Sequence, residues 1–326
     1  MEKLYPLKFK PILKEKIWGG EKLKNLLGKK WPGQQKIGES WEISAYQNNI
    51  SVVSNGFLAN NNLNEIAEIY MGDLVGDKVY GQFGAEFPLL IKFIDANDDL
   101  SIQVHPDDSY AMEHHKGKGK TEMWYIVQAE KGAELISGFS KEINKNTYLT
   151  ALNSGNIKDV LNSEKVSEGD VFFIPAGRIH AIGPNILLAE IQQTSDLTYR
   201  IYDWGRLGND GKPRELHTEM ALEVMDFDLY KSYKTEYKKQ ANKTSNILSC
   251  PYFTTNILNF DTPVDKDYNL IDSFVVYMCI KGSFIISYNN KTERVEFGET
   301  VLLPAVLKEI TLIPEPSAQL LEIYII

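Results

Sequence analysis

Short apolar runs broken by Gly, Pro, Asn and Asp recur along the chain: LLIKFID, SIQVH, MWYIVQA, AELISGF, VFFIPA, ILLAEIQQ, SFVVYMCI, FIISYNN, TVLLPA and AQLLEIYII. Runs of this length, rich in β-branched and aromatic residues and bounded by turn formers, predict strands. A helical spacing of apolar positions is confined to three places. These are NLNEIAEIYMG at 62–72, PDDSYAMEHH with Asp107 or Asp108 as its cap, and PRELHTEMALEVM opening on Pro213. The pattern predicts a mainly β protein, a sandwich or barrel carrying a few short helical insertions.

The strands also repeat. EGDVFFIPA, ending at Ala176, aligns with FGETVLLPA, ending at Ala305, and pairs Gly169 with Gly298 and Pro175 with Pro304. Upstream, MWYIVQAEKGAELIS resembles VVYMCIKGSFIIS; downstream, LLAEI from Leu187 resembles LLEIYI from Leu320. Two copies of one β unit are therefore expected. The first supplies His180 four residues after Ala176, whereas the second reads PAVLKE and supplies no histidine. The expected division is a functional domain over 1–227, with its N-terminal segment and helical insertions, and a structural one over 228–326, joined by the charged stretch DLYKSYKTEYKKQANKT.

Composition narrows the partners. With 35 Lys+Arg against 44 Asp+Glu among 326 residues, the formal charge of -9 argues against a broad nucleic-acid or anionic-membrane footprint and leaves room only for a local basic pocket. The first twenty residues hold no apolar signal core, and the longest apolar stretch, FVVYMCI, is too short to span a bilayer, so a cytoplasmic protein is expected. Two cysteines, Cys250 and Cys279, are too few for a disulfide framework and badly spaced for a thiolate metal site. None of these features fixes an oligomeric state.

The chemistry gathers around a few polar residues in strand-like runs. Gln103 and His105 are i and i+2 just before Pro106, so a strand would turn them to one face. GDVFFIPAGRIHAIG has the Gly, Pro, Gly and His spacing that resembles the second motif of the cupin family, in which two strands present a histidine into a small β-barrel. Gln103-x-His105 resembles the first cupin motif with Gln in place of the usual His, and its glutamate, Glu122, stands seventeen residues after His105. The gap implies an inserted helix. Two imidazoles, a carboxylate and an amide oxygen make an N/O site suited to Zn2+, with manganese or iron(II) as alternatives, and a weak fourth ligand leaves room for substrate. Gln103 could instead hydrogen-bond a water on the metal. Lys120 is i−2 to Glu122 and would share its face; Arg200 sits in an aromatic run with Tyr199, Tyr202 and Trp204, where a buried cation needs an anionic partner. Arg178 is either a phosphate ligand or a strand-edge residue. Trp18 and Trp41 serve the pocket or the core, while His114, His115 and His217 read as solvated or structural.

Taken together, IWGG, GESWEIS, PLLIKFIDANDDLSIQVHPDD, GKTEMWYI, FIPAGRIHAIG and TSDLTYRIYDWGR resemble the type I mannose-6-phosphate isomerase family, in its shorter, mainly bacterial class, over most of residues 6–225. The resemblance implies two cupin-type jelly-roll barrels, one Zn2+ per chain held by Gln103, His105, Glu122 and His180, and Arg200 as the active-site arginine. It implies Lys120 and Asp196 as neighbouring site groups and Ser101 and Lys92 as contacts near the sugar phosphate. Some longer members carry a histidine where Gly119 stands, so a mechanism using that histidine as the base does not transfer. The implied activity interconverts mannose 6-phosphate and fructose 6-phosphate through an enediolate, the partner being a small phosphorylated sugar. A water activated by the metal, Asp196 and neutral Lys120 stay open as the base. The competing readings are another metal-dependent cupin, such as an isomerase of unphosphorylated sugar or an iron oxygenase, and a non-catalytic sugar-binding bicupin.

Overall fold

The structure, a computed structural model, describes residues 3–208 and 211–326. The strands Val171–Ile174, Glu122–Ala129, Ile186–Gln193, Leu89–Ala96, Ile37–Ile43 and Ile12–Gly20 form a six-stranded sheet in that spatial order. A five-stranded sheet of Leu161–Lys165, Glu134–Phe139, His180–Ile182, Ile102–Val104 and Tyr199–Tyr202 makes the other wall of the first jelly roll. All the named ladders are antiparallel.

The central strands Leu89–Ala96 and Ile186–Gln193 of the six-stranded sheet are buried on both faces, which is why LLIKFIDA and ILLAEIQQ read as near-continuous apolar runs. Ile91, Phe93, Ala189, Ile191 and Tyr125 share one core with the C-terminal strands. Their alternates Ile94, Leu188, Trp124 and Ile126 pack inside the first barrel. Period-two alternation therefore sends Lys92, Glu122 and Glu190 inward, and each is a charge in an otherwise apolar wall. On the five-stranded sheet, Ile102, Val104, Ala181 and Tyr199 face outward under the helices Lys145–Asn153 and Thr218–Val224.

The C-terminal strands form the second sheet system, with Thr300–Leu303 against Val275–Tyr288, then Glu309–Tyr324, Thr254–Phe260 and Ser245–Ser249. The runs SFVVYMCI and FIISYNN are one bent strand whose register slips around Lys281–Gly282, where Gly282 takes φ 69°. Leu7–Lys8 joins this sheet at Thr300–Leu303, so the first residues close the C-terminal unit. The charged stretch after Phe227 is ordered against the first barrel: Tyr233 Oη donates to Phe139 O at 2.8 Å, and Tyr237 Oη to Gly169 O at 2.7 Å.

Two of the three expected helices form in place, Leu63–Val75 and Asp108–His115, the latter capped by Asp107 accepting from Tyr110 N at 2.8 Å. The third begins at Thr218 rather than Pro213, because Pro213 bridges Leu207 and Glu215 O is taken by Arg200. Helices Asp77–Phe83 and Lys145–Asn153 add to the expected set.

Candidate active site

Two loops carry the candidate ligands, and one glycine joins them. Pro106 lacks the N–H needed to continue the strand Ile102–Val104, so the chain leaves the sheet just after His105. Gly177, at φ 85°, follows Pro175 and donates its N–H to His105 O at 2.9 Å. A Cβ on Gly177 would stand 2.9 Å from Val224 O, so the turn that presents His180 has no room for a side chain. His180 then opens a strand paired to Gln103 on one side and Ser137 on the other. The inserted helix lies between His105 and Glu122, which accounts for their seventeen-residue separation. Its return is fixed by Lys120 N donating to Pro106 O and Gly119 N to Asp108 Oδ1 at 2.8 Å. A Cβ at Gly119 would come within 2.6 Å of the Asp107 and Asp108 backbone, so the histidine of longer relatives does not fit here.

His105, Glu122 and His180 are fully buried, and one ligand atom from each lies within 4.8 Å of the others. Nδ1 of His105 is 2.8 Å from Leu197 O, and Nδ1 of His180 is 2.8 Å from Arg178 O. A carbonyl accepts only from N–H, so both rings carry the proton on Nδ1 and aim the Nε2 lone pair inward. Those Nε2 atoms stand 3.5 Å from the two Glu122 oxygens. Neither oxygen has a hydrogen bond, although Lys120 Nζ is 3.4 Å away. Two lone pairs and an ionised carboxylate facing one another would repel, and a buried carboxylate in that state would cost several kcal/mol, so without a cation the carboxyl keeps its proton. A divalent cation relieves all three at once, and neutral imidazole with carboxylate is a donor set that takes one. The residues fit a metal. Gln103 Nε2 lies 3.2 Å from His180 Nε2, and a half-turn of the amide brings Oε1 to that position as a fourth donor.

The electrostatics agree. Without a cation, burial pushes the Glu122 carboxyl up to about 8 against the pull of Lys120. Burial pushes the His180 imidazole down to about 3 and His105 well below its ordinary value, so both rings are neutral.

The cluster borders a pocket of about 240 Å³ lined by Gln103, Lys120, Ser101, Lys92, Asp196 and Arg200 among others. A larger cavity of about 500 Å³ lies on the outer side, lined by Ala181, Glu134 and Trp204, but holds none of the candidate ligands. Every expected catalytic and sugar-contact residue but one reaches the smaller pocket. Arg178 does not: its guanidinium stacks 4.2 Å from the Tyr230 ring and 5.0 Å from Tyr233. Its carbonyl accepts from His180 Nδ1 and so orients that ring.

Several pocket residues lay outside the sequence reading. Glu190 is 3.0 Å from Lys92 Nζ and accepts from Trp124 Nε1 at 3.0 Å. Glu39 accepts from Trp41 Nε1 at 2.6 Å and pairs with Lys16 at 2.9 Å. Burial opposes ionisation of both carboxyls, yet Lys92 with Lys120, and Lys16 with Lys92, hold Glu190 and Glu39 below the carboxylate range. Lys92 is raised in turn, the two carboxylates outweighing its burial. The signal that could have found them is a lone charge in an apolar strand, as in LLAEIQQ and LLIKFID. His217 also lines the pocket, and Trp18 with it, while Trp41 is core.

Two jelly-roll sheets with imidazoles and a carboxylate converging between them define a metal-site cupin. The family model described as phosphomannose isomerase type I, catalytic domain, matches residues 6–136. The chain is 37% identical to mannose-6-phosphate isomerase ManA of Bacillus subtilis (strain 168), over 94% of this chain and 95% of that protein. It is 38% identical to a mannose-6-phosphate isomerase of Streptococcus mutans, over 93% of each. The crystal structure of mannose 6-phosphate isomerase from Bacillus subtilis superimposes with a TM-score of 0.89 at 33% identity, covering 99% of this chain and 100% of that one. The chain belongs to the type I phosphomannose isomerase family.

Proposed function

We propose that this protein interconverts mannose 6-phosphate and fructose 6-phosphate, using one Zn2+ per chain held by His105, Glu122 and His180 with Gln103 as fourth donor. The observation that carries the reading is the unsatisfied Glu122 carboxylate between two inward Nε2 lone pairs, at the edge of a pocket rich in cations. The names of the relatives at 37% and 38% identity support the substrate.

Isomerisation moves a proton from C2 to C1 while the C1 carbonyl becomes a hydroxyl and the C2 hydroxyl a carbonyl. A bound zinc supplies a Lewis acid for the sugar oxygens. Lys120 and Arg200 face the same pocket and stabilise the negative charge that grows on those oxygens in the enediolate. Asp196 and Lys120 are the pocket groups assigned to carry the proton. Lys92 and Ser101 are assigned to sugar contacts, Lys92 being held in place by Glu190. Trp18 and Trp124 wall the pocket against water. Arg178 is left out of the substrate set. Two unpaired cysteines and a charged substrate favour a cytoplasmic setting, and no helix among the described residues is long and apolar enough to cross a membrane.

The test is turnover of mannose 6-phosphate by zinc-loaded protein, with free mannose as control, before and after chelation and zinc restoration. Chelator-sensitive ketose formation from the phosphate is expected. Loaded, folded protein that converts neither sugar contradicts the reading.

A further inference from the structure

Positive charge in the pocket is unevenly balanced. On the Lys92 side, Lys16 and Lys92 face Glu39 and Glu190 at 2.9 to 3.0 Å, two ammoniums against two carboxylates. Asp196 bears on that side too, its charge acting on Lys14, Lys92 and Tyr46. At the metal end, Lys120 faces Glu122. The remaining side is different: three guanidiniums, those of Arg200, Arg206 and Arg214, share one buried carboxylate, Asp203. Arg206 has a further carboxylate only in exposed Asp98, at 4.0 Å, among the described residues.

Arg200 has no carboxylate within 4.0 Å among the described residues. Its Nε is buried with no hydrogen bond, and Nη1 donates to Glu215 O at 2.9 Å. His217 fixes it from behind, accepting from Arg200 N at Nδ1 (3.2 Å) and donating its own N–H to Arg200 O (2.7 Å). Arg214 gives Nε and Nη2 to Asp203 and leaves Nη1 without a hydrogen bond among the described residues. Arg200 and Arg214 both line the pocket. A dianion placed against Lys16 and Lys92 would meet two carboxylates; against these two guanidiniums it completes a deficient charge set with planar, preoriented donors.

Resting on the isomerase reading, we propose that Arg214 binds the sugar's phosphate dianion, at the side of the pocket it shares with Arg200, and sets the preference for the phosphorylated sugar. Asp203 acts as the positioning residue for Arg214.

The test measures KM and kcat for mannose 6-phosphate, and competitive inhibition by inorganic phosphate, in wild type, R214Q and R214K. Losing one charge-assisted contact predicts that KM and the phosphate inhibition constant both rise about ten- to a hundredfold in R214Q, with kcat falling less, and R214K lying between. A folded R214Q with both constants within about twofold of wild type, well below the loss of such a contact, overturns the proposal. If R214Q fails to fold, the unaltered chain decides: inorganic phosphate, and not free mannose, should slow phenylglyoxal modification of Arg214 as read by peptide mass spectrometry. Equal modification rates with and without phosphate overturn it. Phosphate protection in a loaded enzyme that does not turn over mannose 6-phosphate would leave this inference standing and sink the isomerase reading. Turnover without any role for Arg214 would do the reverse.

Discussion

The two halves of the chain use one strand-turn-strand unit and fill its interior in opposite ways. Gly169 and Gly298 adopt φ 89° and 84° and donate to Ile126 O and Cys279 O, at 2.8 and 2.9 Å. Through the ladders, Glu122 opposite Ile174 corresponds to Val275 opposite Leu303, and Trp124 to Tyr277. Glu190 opposite Trp124 corresponds to Glu322 opposite Tyr277. The place of His180 falls to exposed Glu309. In the C-terminal half, Glu322 accepts from Asn256 Nδ2 at 3.0 Å and Tyr268 Oη at 2.9 Å and pairs with Lys266. In the N-terminal half, Glu122 is equally buried and has no hydrogen bond. A satisfied buried carboxylate holds a barrel together; an unsatisfied one beside two lone pairs marks where something must bind.

The largest effect should come from removing a ligand on the unsatisfied side. H180A is expected to lose bound metal and turnover together, read by elemental analysis beside a coupled assay; turnover without metal would break the comparison. R200A should keep its metal and lose about a hundredfold or more in kcat/KM, the usual scale for a charge-stabilising donor. Normal turnover in R200A would remove the electrostatic role assigned to it.

On the satisfied side, E322Q strands the Lys266 ammonium. It should destabilise the fold by about 3 kcal/mol in denaturant titration while leaving turnover per folded chain nearly unchanged. Loss of catalysis in folded E322Q would show that the C-terminal half is more than structural.

The smallest effect is a proton. In the metal-free chain Glu122, ordinarily 4.5 and here about 8, stays protonated when folded, so its contribution to stability is present below 4.5 and is lost as pH rises to about 8. His180, ordinarily 6.5 and here about 3, acts oppositely: its contribution is present above 6.5 and lost as pH falls toward 3. At pH 7 metal loading must therefore expel the Glu122 proton and none from the imidazoles. Calorimetry in buffers of different ionisation enthalpy should detect release of about one proton. No release at pH 7 would contradict the buried, protonated carboxyl.

Much of this comparison was legible in the sequence. The Gly and Pro positions of the repeat and the missing second histidine mark two copies of one unit, of which only the first carries His180, because turns and metal ligands tolerate few residue types. The polar filling of each barrel was less legible. Glu190, Glu39 and Glu322 are single charges in apolar runs, and their meaning depends on partners such as Lys92, Lys16 and Lys266 brought in from other strands. Leu7–Lys8 pairs with Val301 and Leu302, nearly the full chain away, and local periodicity carries no trace of that. Arg178 shows the limit from the other side: its place two residues before His180 left phosphate binding and a strand edge both open, and the packing of Tyr230 and Tyr233 from the connecting segment against its guanidinium was not legible locally.

The most direct measurement is metal content and mannose 6-phosphate turnover in wild type and E122Q, purified side by side. The account predicts one metal per chain with turnover in the wild type, and loss of both in E122Q. Metal and turnover retained in E122Q, or a second equivalent bound in the wild type, would contradict it.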